Sequence, residues 1–225
     1  MMKKFVEKLN CDVNESGPCK IVCLGDSVTQ GSFEHNHFDY QSVYHHLLKN
    51  KINAVFPKMP VQMINAGIGG KTAKHAAGRL ERDVLAYSPD LVIVCFGLND
   101  VNGKVEEYQK ALSEIFERVS PAETIFMTPN MLNTRLEARL DPDLRDYAKL
   151  TMEFQNSGKM DLFVEAAMKT AAQYRVAVCD CYRKWKQLAA IGADTTSLLA
   201  NYINHPRRDM HELFAACLFD TIFYE

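Results

Sequence analysis

The chain has 225 residues, of which 47% are hydrophobic and 24% are charged, a composition that excludes a disordered, collagen-like or coiled-coil protein. A chain of this length buries enough apolar surface to form one large core without disulfides or a structural metal. The 26 Lys and Arg residues nearly balance the 28 Asp and Glu residues, for a net charge of −2, so no basic surface for nucleic acid or an anionic membrane is expected.

Five short apolar runs, each bounded by Gly, Pro, Asn or Asp, predict buried strands. In chain order these runs are Lys20–Leu24, Val61–Ile64, Leu91–Phe96, Thr124–Met127 and Arg175–Cys179. Even the most apolar stretch, residues 91–98, is far shorter than the roughly 20 residues that cross a bilayer, so no transmembrane span is predicted.

Segments with helical spacing of apolar residues separate these strands and follow the last one. They are Tyr40–Phe56, Ala73–Ala86, Val105–Val119, a long Pro142–Tyr174 segment expected to hold two helices, Tyr182–Ile191 and Asp209–Ile222. Alternating strands and helices favour parallel strands joined by right-handed crossovers, with helices on both faces. The predicted fold is therefore α/β: a three-layer α/β/α sandwich with a flavodoxin-like five-stranded parallel sheet of order 2-1-3-4-5.

No repeat or flexible linker interrupts this pattern. We therefore predict an N-terminal extension over residues 1–19 and a single domain over residues 20–225. The segment 128–174 is too long for a simple strand-to-helix crossover and is interpreted as an insertion. Two interpretations of it stay open: a lid or wall of a pocket, and a solvated pair of surface helices.

The N-terminus and the cysteines predict a cytoplasmic protein. Charged residues at positions 7 and 8 interrupt the chain before the apolar segment of a secretory signal could form. The seven cysteines are odd in number, and Cys23, Cys95 and Cys179 lie in apolar runs where a thiol behaves as a small hydrophobic group. Cys179 and Cys181 have no second pair with which to form a metal site.

Functional residues are expected just after the strands, because ligands bind beyond the carboxyl ends of an open parallel sheet. The first strand is followed by Gly25–Gly31, in which Ser27 would present a nucleophilic hydroxyl at the mouth of the sheet. The same serine is compatible with a helix N-cap or a phosphate-binding turn. Neither the Walker pattern nor GxGxxG is present, which argues against a phosphate loop.

The segments after the second and third strands offer hydrogen-bond donors. Asn65–Thr72 has three glycines in four residues, so its backbone N–H groups can approach a ligand as in an oxyanion hole, or simply turn the chain. Gly97–Asp100 contains Asn99, whose amide can donate to a developing negative charge or form an Asx-turn. In the order 2-1-3, donors from both neighbouring strands would face Ser27.

A serine nucleophile also needs a base. Histidines in a polar loop or on earlier predicted helices are His35, His37, His45, His46 and His75. None of them has a third ligand at metal-binding spacing, so no metal site is predicted. His211 falls within the last predicted helix and is interpreted as a packing or surface residue. His205 lies in the loop just before that helix, from which it can reach the end of the first strand, and is the candidate base.

At these segments the sequence resembles the GDSL or SGNH hydrolase family, from about residue 20 to residue 220. Gly25–Ser27 resembles the first block of the family, and Asn65–Thr72 is similar to the second. Gly97–Asp100 resembles the GxND third block, and His205-Pro206 resembles the His-Pro of the last block. Four blocks in family order are a specific match, whereas Gly-Asp-Ser alone would be a weak one.

The resemblance implies a role for each matched residue. Ser27 is the implied nucleophile and His205 the implied base. The implied oxyanion hole consists of the backbone N–H groups of Ser27 and Gly70 and the side chain of Asn99. The resemblance implies no metal and no organic cofactor.

One position departs from the family pattern. The last block of the family reads Asp-x-x-His, with the Asp orienting the base, but Tyr202 occupies the position three residues before His205. In a serine hydrolase this Asp can contribute about 10⁴ in turnover, so a substitute is expected. The candidates are Asp194, Asn201 and a backbone carbonyl.

The implied function is serine-dependent hydrolysis of a carboxylic ester with a small acyl group, with an O-acetylated carbohydrate as one candidate. The expected partner is therefore a small-molecule or carbohydrate ester, with no nucleic acid and no membrane, and no oligomeric state is predicted. An alternative is a catalytically weak module that binds glycans or acyl groups on the same fold, which the missing Asp would favour. A flavodoxin-like nucleotide or receiver domain is disfavoured, because the phosphate motifs and an acidic cluster after the first strand are missing.

Overall fold

The structure, a computed structural model, describes residues 2–224. Its strands are β1 (Cys19–Gly25), β2 (Val61–Gly67), β3 (Leu91–Cys95), β4 (Glu123–Met127) and β5 (Ala177–Cys179). They form one sheet in the order β2-β1-β3-β4-β5, and every pairing is parallel. The predicted sheet is confirmed, and the carboxyl ends of its strands meet at one edge.

Burial follows the position of each strand in the sheet. The central strand β3 is buried at every residue, and β1 is buried at every residue except Lys20. The edge strand β2 mixes buried and exposed positions. Continuous apolar runs therefore mark the strands that helices cover on both faces, as expected for a parallel sheet.

The helices flank this sheet. They are α1 (Lys3–Leu9), α2 (Val13–Ser16), α3 (Ser27–Gln30), α4 (Tyr44–Val55), α5 (Ala73–Ala77), α6 (Leu80–Asp83), α7 (Val105–Val119), α8 (Arg145–Asn156), α9 (Lys159–Gln173), α10 (Cys181–Ala190) and α11 (Arg208–Phe223). Helix α4 packs on α11, whereas α7 packs on α5 and α9. Right-handed crossovers place these two groups on opposite faces, because the chain reverses direction across the sheet after β2. No helix within residues 2–224 is long and apolar enough to cross a membrane.

The predicted single helix Ala73–Ala86 is wrong, because the structure contains the two short helices α5 and α6 there. Helix α5 ends at Gly78, a residue with low helix propensity. Arg79 then turns inward, where its guanidinium donates to the Asp83 carboxylate at 2.7 Å and to the Gly25 carbonyl at 3.3 Å. The contact with Gly25, which is distant in the sequence, is one that the helical spacing of the sequence could not predict.

Helix α1 lies within residues 1–19, where the sequence analysis predicted no element. Its side chains Phe5 and Leu9 are buried in the main core. The Glu123 carboxylate accepts the backbone N–H groups of Lys4 and Phe5 at 3.2 and 2.8 Å, which satisfies donors that a helix N-terminus leaves free. Phe5 and Leu9 therefore belong to the same core as the sheet.

The segment 128–174 contains α8 and α9 after a stretch without regular structure. Helix α9 packs against α7 and β5. Leu144 and Tyr147, at the start of α8, line the cavity that contains Ser27. This part of the segment therefore forms a wall of the cavity.

Candidate active site

The first turn of α3 presents Ser27 at the end of β1. The Asp26 carboxylate caps the helix by accepting the Val28 N–H at 3.0 Å. A Cβ at Gly25 would lie 2.0 Å from Thr29 Oγ1, and a Cβ at Gly67 would lie 2.2 Å from the backbone nitrogen of Gln30. Only glycine permits this close approach, so the ends of β1 and β2 hold the serine helix between them.

Ser27 contacts the predicted base. Its Oγ lies 2.9 Å from Nε2 of His205, although the two residues are far apart in the chain. Ser27 is 8% exposed, so its hydroxyl is accessible only through the cavity in front of it. This is the geometry that lets a histidine take a proton from a serine.

A backbone carbonyl orients His205. Its Nδ1 lies 2.9 Å from the carbonyl oxygen of Phe33. A carbonyl can only accept a hydrogen bond, so Nδ1 must carry the proton and Nε2 is left to accept from the Ser27 hydroxyl. Of the three candidates from the sequence, a backbone carbonyl is thus the group that contacts the ring.

The other two candidates have different roles. The Asp194 carboxylate accepts from the Arg135 guanidinium and caps the 3₁₀ turn Thr195–Leu198. The Asn201 side-chain oxygen accepts three backbone N–H groups, from Ile203, Asn204 and His205, at 2.9–3.0 Å. Asn201 therefore shapes the loop that carries the base, without contacting the imidazole.

Two asparagines from the segment after β4 hold the same loop. The Asn130 side chain donates to the Asn204 carbonyl at 2.9 Å, and the Asn133 N–H donates to the Ile203 carbonyl at 2.9 Å. Both asparagines are fully buried. Tyr202, in the position of the missing Asp, has φ +57°, an uncommon conformation for a residue with a large side chain.

The predicted oxyanion donors lie around Ser27. Gly69 and Gly70 line the same cavity, and so does Asn99. Within residues 2–224, neither the Ser27 N–H nor the Gly70 N–H donates to another protein group. The Asn99 amide donates one of its two N–H bonds to the Lys71 carbonyl at 3.1 Å, so one N–H is left for a ligand.

Asp100 connects the segments after β2 and β3, a role that the sequence analysis missed. Its carboxylate is buried and accepts the Ala73 N–H at 2.9 Å and the Gly97 N–H at 3.1 Å. Burial raises the pKa of Asp100 to about 6. The sequence shows that a charged residue follows a buried strand here. It does not show which backbone N–H groups the carboxylate of that residue accepts.

The pKa values in the site follow burial. Desolvation lowers the pKa of His205 below its usual 6.5, while the hydrogen bond to Phe33 opposes this shift. The imidazole is therefore neutral at pH 7, as a general base must be. Burial raises the pKa of Asp26 to about 7, which brings its protonation into the physiological range.

The cavity in front of Ser27 has a volume of about 430 Å³. Side chains with hydrogen-bonding groups dominate its lining: Gln30, Ser32, Glu34, His35, Asn36, Asn201 and Asn204. Phe38 also lines it and is 47% exposed. The cavity therefore suits a polar ligand that also offers an apolar face.

The histidines that were not predicted to be the base do not line the cavity within residues 2–224, except for His35. His211 is buried, and its Nδ1 accepts the Tyr44 N–H at 3.0 Å. His45 Nε2 lies 2.9 Å from the Thr29 carbonyl, and His75 Nδ1 lies 2.8 Å from Thr72 Oγ1 at the start of α5. The packing role predicted for His211 agrees with this position.

Known proteins resemble the chain in sequence and in fold. An acetylxylan esterase from Geobacillus stearothermophilus is 34% identical over 91 residues, which cover 36% of this chain and only 40% of the esterase. A crystal structure of an acetylxylan esterase from that organism matches with a TM-score of 0.69 at 21% identity, over 92% of this chain and 94% of the other. An alpha/beta hydrolase enzyme from the metagenome of Lake Arreo, Spain, matches with a TM-score of 0.70 at 24% identity, over 91% and 94%.

The two structural matches show that the fold is shared. Family membership rests on the sequence. The model of the GDSL-like Lipase/Acylhydrolase family matches residues 23–213, a range that contains the segments around Ser27, Gly70, Asn99 and His205. The predicted resemblance is thus confirmed, and the chain belongs to the GDSL-like Lipase/Acylhydrolase family.

Proposed function

We propose that this protein hydrolyses carboxylic esters through an acyl-enzyme formed on Ser27. The observation that carries the proposal is the 2.9 Å contact between Ser27 Oγ and His205 Nε2, in a cavity that Gly70 and Asn99 also line. Oγ attacks the acyl carbon while Nε2 takes the hydroxyl proton, and a C–O bond forms. When the tetrahedral species collapses, the bond to the alcohol breaks and His205 returns the proton to that alcohol. Water then repeats the sequence on the acyl-enzyme.

The proposal assigns the developing oxyanion to three donors: the backbone N–H groups of Ser27 and Gly70 and the Asn99 amide. The N–H groups of Ser27 and Gly70 have no acceptor among residues 2–224, which supports this assignment. Donors that are already oriented stabilise the tetrahedral species without reorganisation, which is commonly the largest contribution to acyl-transfer catalysis.

We propose an ester of a small acyl group, with an O-acetylated carbohydrate as the leading candidate and no nucleic acid or membrane as partner. The hydrogen-bonding side chains of the cavity support a sugar, because buried hydroxyls require partners. A long acyl chain would instead need an apolar channel. The name of the acetylxylan esterase relative supports the same class.

Fluorophosphonate labelling with peptide mapping tests the nucleophile. We expect the label on Ser27, and we expect Ser27→Ala to abolish it together with hydrolysis of p-nitrophenyl acetate. A label on another serine, or labelling of the Ser27→Ala variant, would refute the assignment. A panel of p-nitrophenyl acetate, butyrate and decanoate, with acetate release from an acetylated xylo-oligosaccharide, then tests the substrate class.

Tyr202, which occupies the position of the family's Asp, favours one competing function. In this alternative, the protein binds glycans or acyl groups on the same fold and turns them over very slowly. Burst kinetics with p-nitrophenyl acetate separate the two functions. Steady turnover after the burst supports the hydrolase, and a single burst without turnover supports the binding module.

We propose a cytoplasmic location for this activity. The odd number of cysteines and the burial of Cys23, Cys95 and Cys179 support it, because disulfides are rare in that compartment. Fractionation of cells that express the full chain with an antibody against it tests the location. Recovery in a membrane or secreted fraction would contradict it.

A further inference from the structure

The base and the group that orients it come from different loops. His205 lies in the loop 199–207, whereas the Phe33 carbonyl that accepts from its Nδ1 lies in the loop 31–39. In the family pattern that this chain departs from, the orienting Asp lies only three residues before the His. Here the Nδ1–carbonyl distance therefore depends on how two separate loops are held together.

Arg208 links these two loops. It is the first residue of α11, three residues after His205. Its guanidinium donates to both Glu34 carboxylate oxygens, at 2.7 and 3.2 Å, and to the Asp39 carboxylate at 3.0 Å. The same guanidinium carbon lies 4.5 Å from the centre of the Phe33 ring. Arg208 thus contacts the loop 31–39 at Phe33 itself, at the next residue and at the end of the loop.

Backbone hydrogen bonds within the loop 31–39 connect Phe33 and Asp39, two of the residues that Arg208 contacts, to the rest of the loop. The Asp39 N–H donates to the Gly31 carbonyl at 2.9 Å, and the Phe33 N–H donates to the His37 carbonyl at 3.0 Å. Phe33 is fully buried, and its ring lies 4.7 Å from the His211 ring. Bidentate pairs between arginine and a carboxylate restrict geometry as well as adding energy, so a loop bonded in this way keeps one position.

We propose that Arg208 is a positioning residue for ester hydrolysis: by clamping the loop 31–39 onto the start of α11, it holds the Phe33 carbonyl against His205 Nδ1, so that this carbonyl orients the base in place of the missing Asp. The inference rests on the proposed function for its kinetic consequence. Its structural consequence, an ordered His205–Phe33 hydrogen bond, is independent of any substrate.

The contacts of Arg208 with Glu34 and Asp39, called the clamp below, should contribute more to catalysis than to stability. The Arg208 side chain is 39% exposed and that of Glu34 is 49% exposed, so the ion pair contributes little to the free energy of unfolding. A displacement of about 1 Å in a catalytic group can nevertheless cost about 10²-fold in rate. Loss of the clamp should therefore lower turnover in a protein that is still folded.

The test compares Arg208→Met with wild type, using p-nitrophenyl acetate. We expect kcat to fall at least about 10-fold, with little change in KM and an unchanged unfolding midpoint, because only the base is displaced. Arg208→Lys keeps the charge without the bidentate geometry and should recover activity only in part. The control is Glu212→Gln, which removes the ion pair between Lys51 and the same helix α11 and should leave kcat unchanged.

A double variant separates position from charge. Arg208→Met with Glu34→Gln removes the clamp but leaves the net charge near His205 as it was. We expect this variant to be as slow as Arg208→Met, and its kcat/KM profile to lose activity at lower pH than that of wild type, because a looser bond to the carbonyl stabilises the imidazolium less. Other groups lining the cavity or contacting the Phe33 ring are His35, Tyr147 and His211, and both variants leave them unchanged.

Two outcomes would overturn the inference: wild-type kcat in Arg208→Met, or recovery of kcat in the double variant. The proton NMR resonance of His205 Nδ1–H provides a readout without substrate. We expect a protected downfield signal in wild type and rapid exchange with water in Arg208→Met. If wild type lacks esterase activity but this difference is present, the proposed function fails while the positioning role of Arg208 stands.

Discussion

At the scale of single residues, the protonation of His205 depends on the group that its Nδ1 contacts. The Phe33 carbonyl determines the tautomer of His205, but it is a neutral dipole. A carboxylate in the same place would also stabilise the imidazolium by its charge. In the proposed mechanism, Ser27 therefore has a correctly oriented base whose imidazolium form is less favoured than in a complete triad.

The pH dependence of turnover follows from His205. Burial lowers the pKa of this imidazole below 6.5, so it stays neutral and able to accept a proton until the pH falls below that value. We expect the acidic limb of kcat/KM for p-nitrophenyl acetate that reports His205 to lie below pH 6.5, separate from the protonation of Asp26, whose pKa is about 7. An acidic limb centred above pH 7 would contradict the assignment of His205 as the base.

The proposed oxyanion hole includes the Asn99 amide, so replacement of this side chain should slow turnover. Asn99→Ala removes one donor while leaving the N–H groups of Ser27 and Gly70 in place, so kcat should fall about 10²-fold with little change in KM. The matched control is Asn102→Ala, which alters a neighbouring exposed amide that donates to the Asn99 carbonyl at 3.0 Å and is not assigned to the oxyanion, so it should change kcat much less. Wild-type turnover in Asn99→Ala would exclude the assigned role.

At the scale of elements, the position of Ser27 depends on how closely the short helix α3 approaches the sheet. The helix has only four residues, too few to be stable alone. The Thr29 hydroxyl contacts the Tyr44 hydroxyl at 3.0 Å, and the Gln30 side chain accepts the Gly69 N–H at 2.7 Å. Contacts with α4 and with the glycine-rich turn therefore stabilise the serine helix.

Gly67→Ala tests this close approach. Its new Cβ would lie 2.2 Å from the backbone nitrogen of Gln30, so α3 must move. We expect a loss of about 1–3 kcal/mol in the free energy of unfolding, and a decrease in kcat of about 10²-fold. Urea unfolding and p-nitrophenyl acetate kinetics measure the two effects.

Gly78→Ala is the control, because the nearest atom to its Cβ is 3.7 Å away and its φ is −70°. Its stability should change by less than about 1 kcal/mol. Equal effects of the two substitutions would show that the close approach at Gly67 is unimportant.

At the scale of the whole molecule, one core joins the N-terminal helix, the sheet and the last helix. Phe5 on α1 and Ile222 on α11 belong to the same buried cluster as the central strands. The proposed active site lies at the carboxyl ends of the strands, whereas α1 is bonded to Glu123, the first residue of β4. The contacts that hold α1 therefore lie at the opposite end of the strands from the proposed catalytic residues.

Phe5→Ala tests whether α1 contributes to the core. Phe5 is fully buried, so the substitution should lower the free energy of unfolding by about 3–5 kcal/mol. Esterase kcat should stay at the wild-type level at temperatures where the variant is folded. Val55→Ala, at a position that is 57% exposed, should change stability by less than about 0.5 kcal/mol. Wild-type stability of Phe5→Ala, measured by urea unfolding, would contradict the packing of α1.

The sequence by itself determined the sheet and the residues at its edge. Short apolar runs with glycines and polar residues at their ends were sufficient to predict the strand order and to bring Ser27, Gly70 and Asn99 together, because parallel strands all end at the same side. The sequence also pointed to His205 among the seven histidines, because the loop before the last helix was the predicted position from which a histidine could reach the end of β1.

Only the tertiary structure decided what orients His205. Every residue has a backbone carbonyl, so nothing in the sequence distinguishes that of Phe33 from the others. The partners of Asp100 and Arg208 were hidden for a related reason: a charged side chain can be read from the sequence, but the groups that it meets come from segments far away in the chain. Long-range contacts of this kind depend on how the loops pack once the sheet has formed.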